Sequence, residues 1–295
     1  GYGFADVGLY ARVGPWSYEA LENFSAIVDQ HHNTLHGRLR VALSPHATYS
    51  CTERLWRLCA AVAAEHDLTI HTHLSEGQQE HRFVAEHHQA TPTAWLHRLG
   101  LLAPNLTAAH CTTLTDEDVA LLADHDVKVA HCPISNAKLC SGILPMRQLR
   151  DAGVTVGLAT DGPASHNTLD MFQEMKFGAI THKNHNLDPE LLTVQEMLTM
   201  ATRDAARAMH LPEAGTLAPG QLADLIVVDL NKPHCAPRYD SKAALVYSSR
   251  ADDVVHTVVD GAIVVEDGVL QGIDLASLLQ ELRERASALR QRSGV

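Results

Sequence analysis

The sequence predicts an α/β protein built from repeated strand–helix units, and three observations carry that prediction. Short apolar, β-branched runs recur between residues 39 and 161, each run stops at an ionisable side chain, and the intervals between them hold apolar residues at helical spacing. Near-continuous apolar runs suit strands buried on both faces of a parallel sheet. Strand and helix in alternation suit a (β/α) architecture, in which the working side chains sit at the carboxyl ends of the strands.

The five predicted strands are residues 39–46 (LRVALSPH), 68–73 (LTIHTH), 106–110 (LTAAH), 127–131 (VKVAH) and 154–161 (VTVGLATD). After the first, Ser50 and Glu53 form a Ser-x-x-Glu start signal ahead of Leu55, Leu58, Cys59 and Val62, which fall on one helical face. Thr193 and Glu196 give the same signal before Met197, Met200 and Ala201. From about Gly215 the pattern changes. The stretches GTLAPGQLADLIVVDL and VVHTVVDGAIVVEDG are rich in Gly and Val with short alternation, which predicts a small antiparallel sheet over residues 213–269. Residues 270–295 predict an amphipathic helix, with Leu275, Leu278, Leu279 and Leu282 on one face and Arg285, Arg290 and Arg292 toward its negative end. That helix is expected to pack on the protein or on a partner subunit.

Composition narrows the function. Lys and Arg number 23 against 35 Asp and Glu, a formal charge of −12, so no basic surface is available for a nucleic-acid backbone or an anionic membrane. No apolar run approaches the roughly 18 residues of a membrane span, and the first twenty residues carry no export signal. The six cysteines include no Cys-x-x-Cys pair, which argues against a thiolate zinc site and a redox dithiol and for free thiols in the cytoplasm.

The ionisable strand ends are His46, His73 with Glu76 three residues on, His110, His131 and Asp161. A single histidine of this kind is most simply a hydrogen-bonded structural residue. Five in succession at one rim can instead hold a divalent ion with an open coordination position and move protons.

Six stretches, SPHATYS, HTHLSE, AAHC, HCPISNAKLCSGILP, TDGPASHNTLDMF and GQLADLIVVD, taken together resemble the amidohydrolase superfamily, and within it the 5-methylthioadenosine/S-adenosylhomocysteine deaminases and their chlorohydrolase relatives. The resemblance implies a (β/α)8 TIM-type barrel, with strands four to eight in residues 1–212, and a small β-sandwich to which residues 213–269 contribute. It implies one divalent metal, zinc foremost with iron or manganese as alternatives, bound by His73 and Asp161. The family's first-strand His-x-His would then lie before Gly1, and His71, two residues inside its strand, would be structural.

In the same resemblance Asp161 accepts the proton of the attacking water, Glu76 protonates the purine ring nitrogen, and His110 hydrogen-bonds the nucleophile. His46 either contacts substrate or shapes its loop, and Ser165 either lies near the substrate or supports Asp161. His131, Ser135 and Asn136 either line the pocket or are structural. The substrate-binding arginine of the family has no clear counterpart, and Arg12 is not assigned that role. The implied reaction is hydrolytic deamination at purine C6 of a small-molecule substrate such as 5'-methylthioadenosine, S-adenosylhomocysteine or adenosine, by a protein that forms homo-oligomers in family habit. Two alternatives stay open: an aminohydrolase or chlorohydrolase for guanine, another aminopurine, a pyrimidine or a triazine, and an inactive half-barrel serving as a structural subunit.

Overall fold

A computed structural model describes residues 2–6 and 26–294. Two sheets organise the chain. The larger is parallel, with six strands in sequential order: β1 (Tyr2–Asp6), β2 (Arg40–Ser44), β3 (Ile70–Leu74), β4 (Leu106–His110), β5 (Lys128–His131) and β6 (Val156–Leu158). All five strands expected from the sequence form. The sixth, β1, pairs in parallel with β2 from Tyr2↔Arg40 to Asp6↔Ser44 and extends the expected set by one. It escapes sequence reading because YGFAD has no β-branched residue, and its Gly, Ala and Asp offset the strand preference of Tyr and Phe.

Sequential order with every neighbour parallel requires a crossover between consecutive strands, and helices supply most of them. They are α1 (Glu53–His66), α2 (Gln78–His88) with α3 (Pro92–Arg98), α4 (Asp116–Asp124), and α5 (Pro133–Lys138) with α6 (Met146–Asp151). Beyond β6 come α7 (Pro163–His166), α8 (Met171–Asn186), α9 (Val194–Ala201) and α10 (Arg203–Ala208). The predicted start of α9 holds, since Thr193 and Glu196 form a reciprocal capping box and Met197 and Met200 are buried. The start of α1 is corrected: Thr52, not Ser50, is the N-cap and accepts from Leu55 N. Thr52 stands one residue before the helix, so its hydroxyl reaches the free amides of the first turn, whereas Ser50 turns toward His46.

One hydrophobic core runs between the sheet and these helices, from Val41, Leu43 and Trp56 through Leu74, Leu96, Leu106 and Leu122 to Leu149, Phe172 and Met197. The apolar body of the sheet is thereby locked in place while its polar strand ends stay on one rim. Burying side chains of this size contributes roughly 1.5–3 kcal/mol each before ordering costs are subtracted.

The second sheet is antiparallel, in the order β10 (Val269–Leu270), β9 (Ala262–Glu266), β8 (Val254–Val259), β7 (Leu225–Val228). Between β7 and β8 lies α11 (Ser241–Tyr247), which packs on α8 and α9. The terminal helix α12 (Leu275–Ser293) forms as expected, capped by Asp274, and of the two expected supports the body of this chain is not the one it uses. Every residue of α12 is exposed, including Leu275, Leu278, Leu279, Leu282 and Leu289.

Candidate metal centre at the strand rim

The carboxyl ends of β3, β4 and β6 bring three donors together. His73, His110 and the carboxylate of Asp161 each offer one ligand atom, and these atoms lie within 4.8 Å of one another. The rings of His73 and His110 stack, with centroids 5.4 Å apart and planes at 15°, so both imidazoles face the rim in the same orientation.

Hydrogen bonds decide which nitrogen of each ring is available. His73 Nδ1 lies 2.7 Å from the carbonyl of His46, which can only accept, so Nδ1 carries the proton. His110 Nδ1 lies 2.8 Å from Asn136 Oδ1, and the same logic protonates it. Both rings therefore keep the Nε2 lone pair free for a cation, a tautomer set by the outer partner as is usual for metal-ligating histidines. Burial lowers the pKa of His110, which favours the neutral ligand form further.

Asp161 is held from three directions. Its Oδ2 accepts from Ser135 Oγ at 2.6 Å and Ser165 Oγ at 2.7 Å, and its Oδ1 accepts from Gly162 N at 2.7 Å. Partial burial pushes its carboxyl pKa up, but these donors, with the His110 imidazole beside them, outweigh it and leave the pKa below the usual value. A carboxylate oxygen has two lone pairs, so Oδ1 retains one. Two imidazole nitrogens and one carboxylate oxygen suit zinc and other borderline divalent cations, and three protein donors are what catalytic zinc sites usually supply. The residues fit the metal that the sequence reading expects.

Glu76 follows β3 and is held by its backbone on two sides. Its N–H donates to Glu80 Oε2 at 2.8 Å, and its carbonyl accepts from Thr112 Oγ1 at 2.6 Å. The loops after β3 and β4 are further joined where Thr112 N and Thr113 N donate to Ser75 O. Ser75, His110, Cys111 and Asp161 all take positive φ between 50° and 74°. Non-glycine residues in that region carry backbone strain, which these four keep at the rim.

The remaining expected residues divide. His46 stands beside the centre, 4.9 Å from His73 between ring centroids, with Nδ1 paired to Ser50 Oγ at 2.7 Å. Ser135, Asn136 and Ser165 touch Asp161 or His110. His131 does not join the group: its Nε2 meets His182 Nε2 at 2.8 Å, among buried residues beneath α8. His71 is half-buried within β3, and the desolvation of its ring drives its pKa down to about 4 and keeps it neutral. Arg12 lies outside the described residues.

Several supporting residues escaped the sequence reading. Glu80 is buried and joins Thr48 to Glu76, while Glu174 accepts from Ile134 N at 3.2 Å and lies 3.1 Å from His166 Nε2. A buried carboxylate inside a helix has no local pattern that separates it from a solvated one, so only the tertiary contacts reveal it.

A parallel sheet flanked by helices, with imidazoles and a carboxylate converging at its carboxyl rim, is the (β/α) arrangement on which metal-dependent hydrolases are built. Residues 17–264 match the Amidohydrolase family, and the chain belongs to it. It is 42% identical over 262 residues to a 5'-deoxyadenosine deaminase of Methanothermobacter thermautotrophicus, covering 89% of this chain and 61% of that protein. It is 38% identical over 287 residues to a 5-methylthioadenosine/S-adenosylhomocysteine deaminase of Dictyoglomus thermophilum, covering 97% of this chain and 67% of that one.

Among solved structures, an adenosine deaminase from Xanthomonas campestris with bound zinc superposes with a TM-score of 0.90 at 31% identity, over 93% of this chain and 62% of that one. An atrazine chlorohydrolase from Arthrobacter aurescens complexed with zinc superposes with a TM-score of 0.85 at 27% identity, over 90% and 59%. The chain thus spans roughly 60% of the length of these relatives. Among the described residues no helix is long and apolar enough to cross a membrane.

Proposed function

We propose that this chain carries the metal-binding and proton-transferring part of a hydrolytic deaminase for purine nucleosides, with 5'-methylthioadenosine, S-adenosylhomocysteine, 5'-deoxyadenosine and adenosine as the substrate class. The observation that carries the reading is the convergence of His73, His110 and Asp161, with Glu76 on the adjoining loop. The similarity to deaminases at about 40% identity supports the substrate class.

His73 and Asp161 would hold a divalent cation, zinc foremost, with His110 directed at the same point. Such a cation supplies Lewis acidity that brings the pKa of water near 7. Asp161 takes a proton from the attacking water and returns it to the departing amine. A lowered carboxyl pKa keeps it ionised and ready to accept. Glu76 gives a proton to the ring nitrogen beside the attacked carbon, which makes that carbon the stronger electrophile. His110 accepts a hydrogen bond from the nucleophilic water at its Nε2 lone pair. Water is consumed, the C6–N bond breaks, and ammonia leaves with a 6-oxopurine as the other product.

The six cysteines are free and five are buried, which supports a reducing compartment such as the cytoplasm. The experiment is an ammonia-release screen on the native full-length protein with the four nucleosides, guanine and a chlorotriazine, the last also read by chloride release. Turnover of an adenosine derivative is expected. Inert nucleosides beside an active triazine would move the assignment to the chlorohydrolase reading that the second structural relative favours.

A further inference from the structure

Glu80 lies outside the metal centre, yet it is 4% exposed and its two carboxyl oxygens serve two different loops. Oε1 meets Thr48 Oγ1, two residues after His46 in the segment following β2. Oε2 accepts from the backbone N–H of Glu76 at 2.8 Å, in the segment following β3. We propose that Glu80 is a positioning residue that holds the backbone of Glu76 in register with the His46 loop, so that the Glu76 carboxyl meets the substrate's ring nitrogen. The role in turnover rests on the deaminase reading above, while the clamp itself does not.

The simpler account is a helix cap, because Glu80 stands at the third position of α2, whose N-cap is Gly77. Glu196 is a plain example of that role in this chain: it caps α9 from a side chain that is 39% exposed, and its acceptor bond goes to the N-cap residue itself. Glu80 departs from it on three counts. It is buried, it bonds the residue before the N-cap, and it takes a second partner from another crossover segment. A carboxyl removed from water costs free energy unless its oxygens are satisfied, so burying one for a cap alone is unfavourable. The position is compatible with either protonation state, since a neutral acid can still accept from Glu76 N–H through one oxygen and donate to Thr48 Oγ1 through the other.

Glu76 has no helical or ladder partner for its own amide, and its carbonyl is fixed by Thr112. Without Glu80 the Ser75–Glu76 peptide would be held through the Ser75 carbonyl alone, which accepts from Thr112 N, Thr113 N and Thr113 Oγ1, and its N–H would lose its partner; a general acid displaced by about 1 Å can lose on the order of 100-fold in rate. Glu80 itself bonds none of the metal donors: His73 is held by the His46 carbonyl, His110 by Asn136, and Asp161 by Ser135 and Ser165.

The test uses the native full-length protein with E80A, E80Q and T48V. Amide hydrogen exchange over residues 74–79, metal content and steady-state kinetics are read on each. Glutamine reproduces both bonds of the neutral acid, so E80Q should keep the exchange protection of Glu76 and stay within about threefold of the native kcat. E80A should lose that protection and about 100-fold in kcat, with metal content and KM unchanged. T48V, which leaves Glu80 bonded to Glu76 alone, should fall between them. Native exchange and native kcat in E80A would overturn the proposal, and so would equal losses in E80A and E80Q. If the native protein turns over no nucleoside, the deaminase reading fails, and the exchange comparison of E80A with E80Q still decides whether the clamp exists.

Discussion

Asn136 Oδ1 stands 2.8 Å from His110 Nδ1, and that contact turns the imidazole so that Nε2 faces Asp161 and His73. Asn136 comes from α5 after β5, and His110 ends β4, so the tautomer of one strand's histidine is set by the next crossover. Removing the partner frees the ring to rotate and to exchange tautomers. For N136A we expect about 10–100-fold weaker metal binding or activity, with the melting temperature changed by only a few degrees. Metal titration by competition with a chelator measures the first and thermal unfolding the second. Unchanged affinity in a folded N136A would show that His110 is not directed by Asn136.

Ser135 and Ser165 both donate to Asp161 Oδ2. Each donor stabilises the charged carboxylate, and deleting one raises the carboxyl pKa. The direction is fixed by that sign: Asp161 must be ionised to accept a proton, so a higher pKa moves the acid limb of the kcat/KM profile to higher pH. We expect S135A and S165A each to shift that limb upward, and the double variant further, while the alkaline limb stays in place. A pH–rate profile for the four proteins is the measurement, and an acid limb that does not move would remove Asp161 as the titrating base.

How far the sequence led is clearest at these residues. His73, His110 and Asp161 were legible because each terminates an apolar run, and the end of a parallel strand is a place that periodicity locates. His131 also ends its strand, but it meets His182 and lines a pocket with Asn136 instead of joining the three donors, a register that is a tertiary property. Ser50 looked like a helix cap since Ser-x-x-Glu is the pattern of one, yet Thr52 lay closer to the helix and took the role. Tyr2–Asp6 lacked any β-branched signal and became a strand through its pairing with Arg40–Ser44. Local patterning thus found the elements and the rim, and the partners that orient the site had to come from contacts between elements.

Glu80 gives the chain a pH signature of its own. Burial raises its carboxyl to about 7, from an ordinary value of 4.5, with the Thr48 and Glu76 hydrogen bonds opposing the shift. A folded pKa above the unfolded one means that the folded state holds the proton more tightly. The stabilisation is complete below about pH 4.5 and is lost as pH rises through 7. The shift corresponds to at most about 3 kcal/mol across that window. E80Q cannot titrate there, so the difference in unfolding free energy between native protein and E80Q should move in favour of E80Q from pH 4.5 to 7.5. Denaturant unfolding at four or five pH values checks the slope, and parallel curves would show that Glu80 titrates at its ordinary value.

Gly157, at the centre of β6, offers a test of the packing beneath the rim. A Cβ built on it would lie 2.6 Å from Ala205 Cα and 3.0 Å from Ala205 N, both backbone atoms of α10. Real Cβ atoms essentially never come as close as 2.6 Å to another heavy atom, and neither neighbour is a flexible side-chain tip that could swing aside. The glycine is thus what lets α10 lie against the sheet, next to the strand that leads into Asp161. G157A forces the helix and strand apart, and overpacking of this kind costs about 1–3 kcal/mol. The displacement should reach Asp161 four residues on, so metal affinity should fall together with stability. Unfolding and chelator competition on one preparation test both. If stability falls and metal affinity does not, the loop from Ala159 to Asp161 absorbs the shift, and the rim is held by its own hydroxyl and amide donors rather than by the strand beneath it.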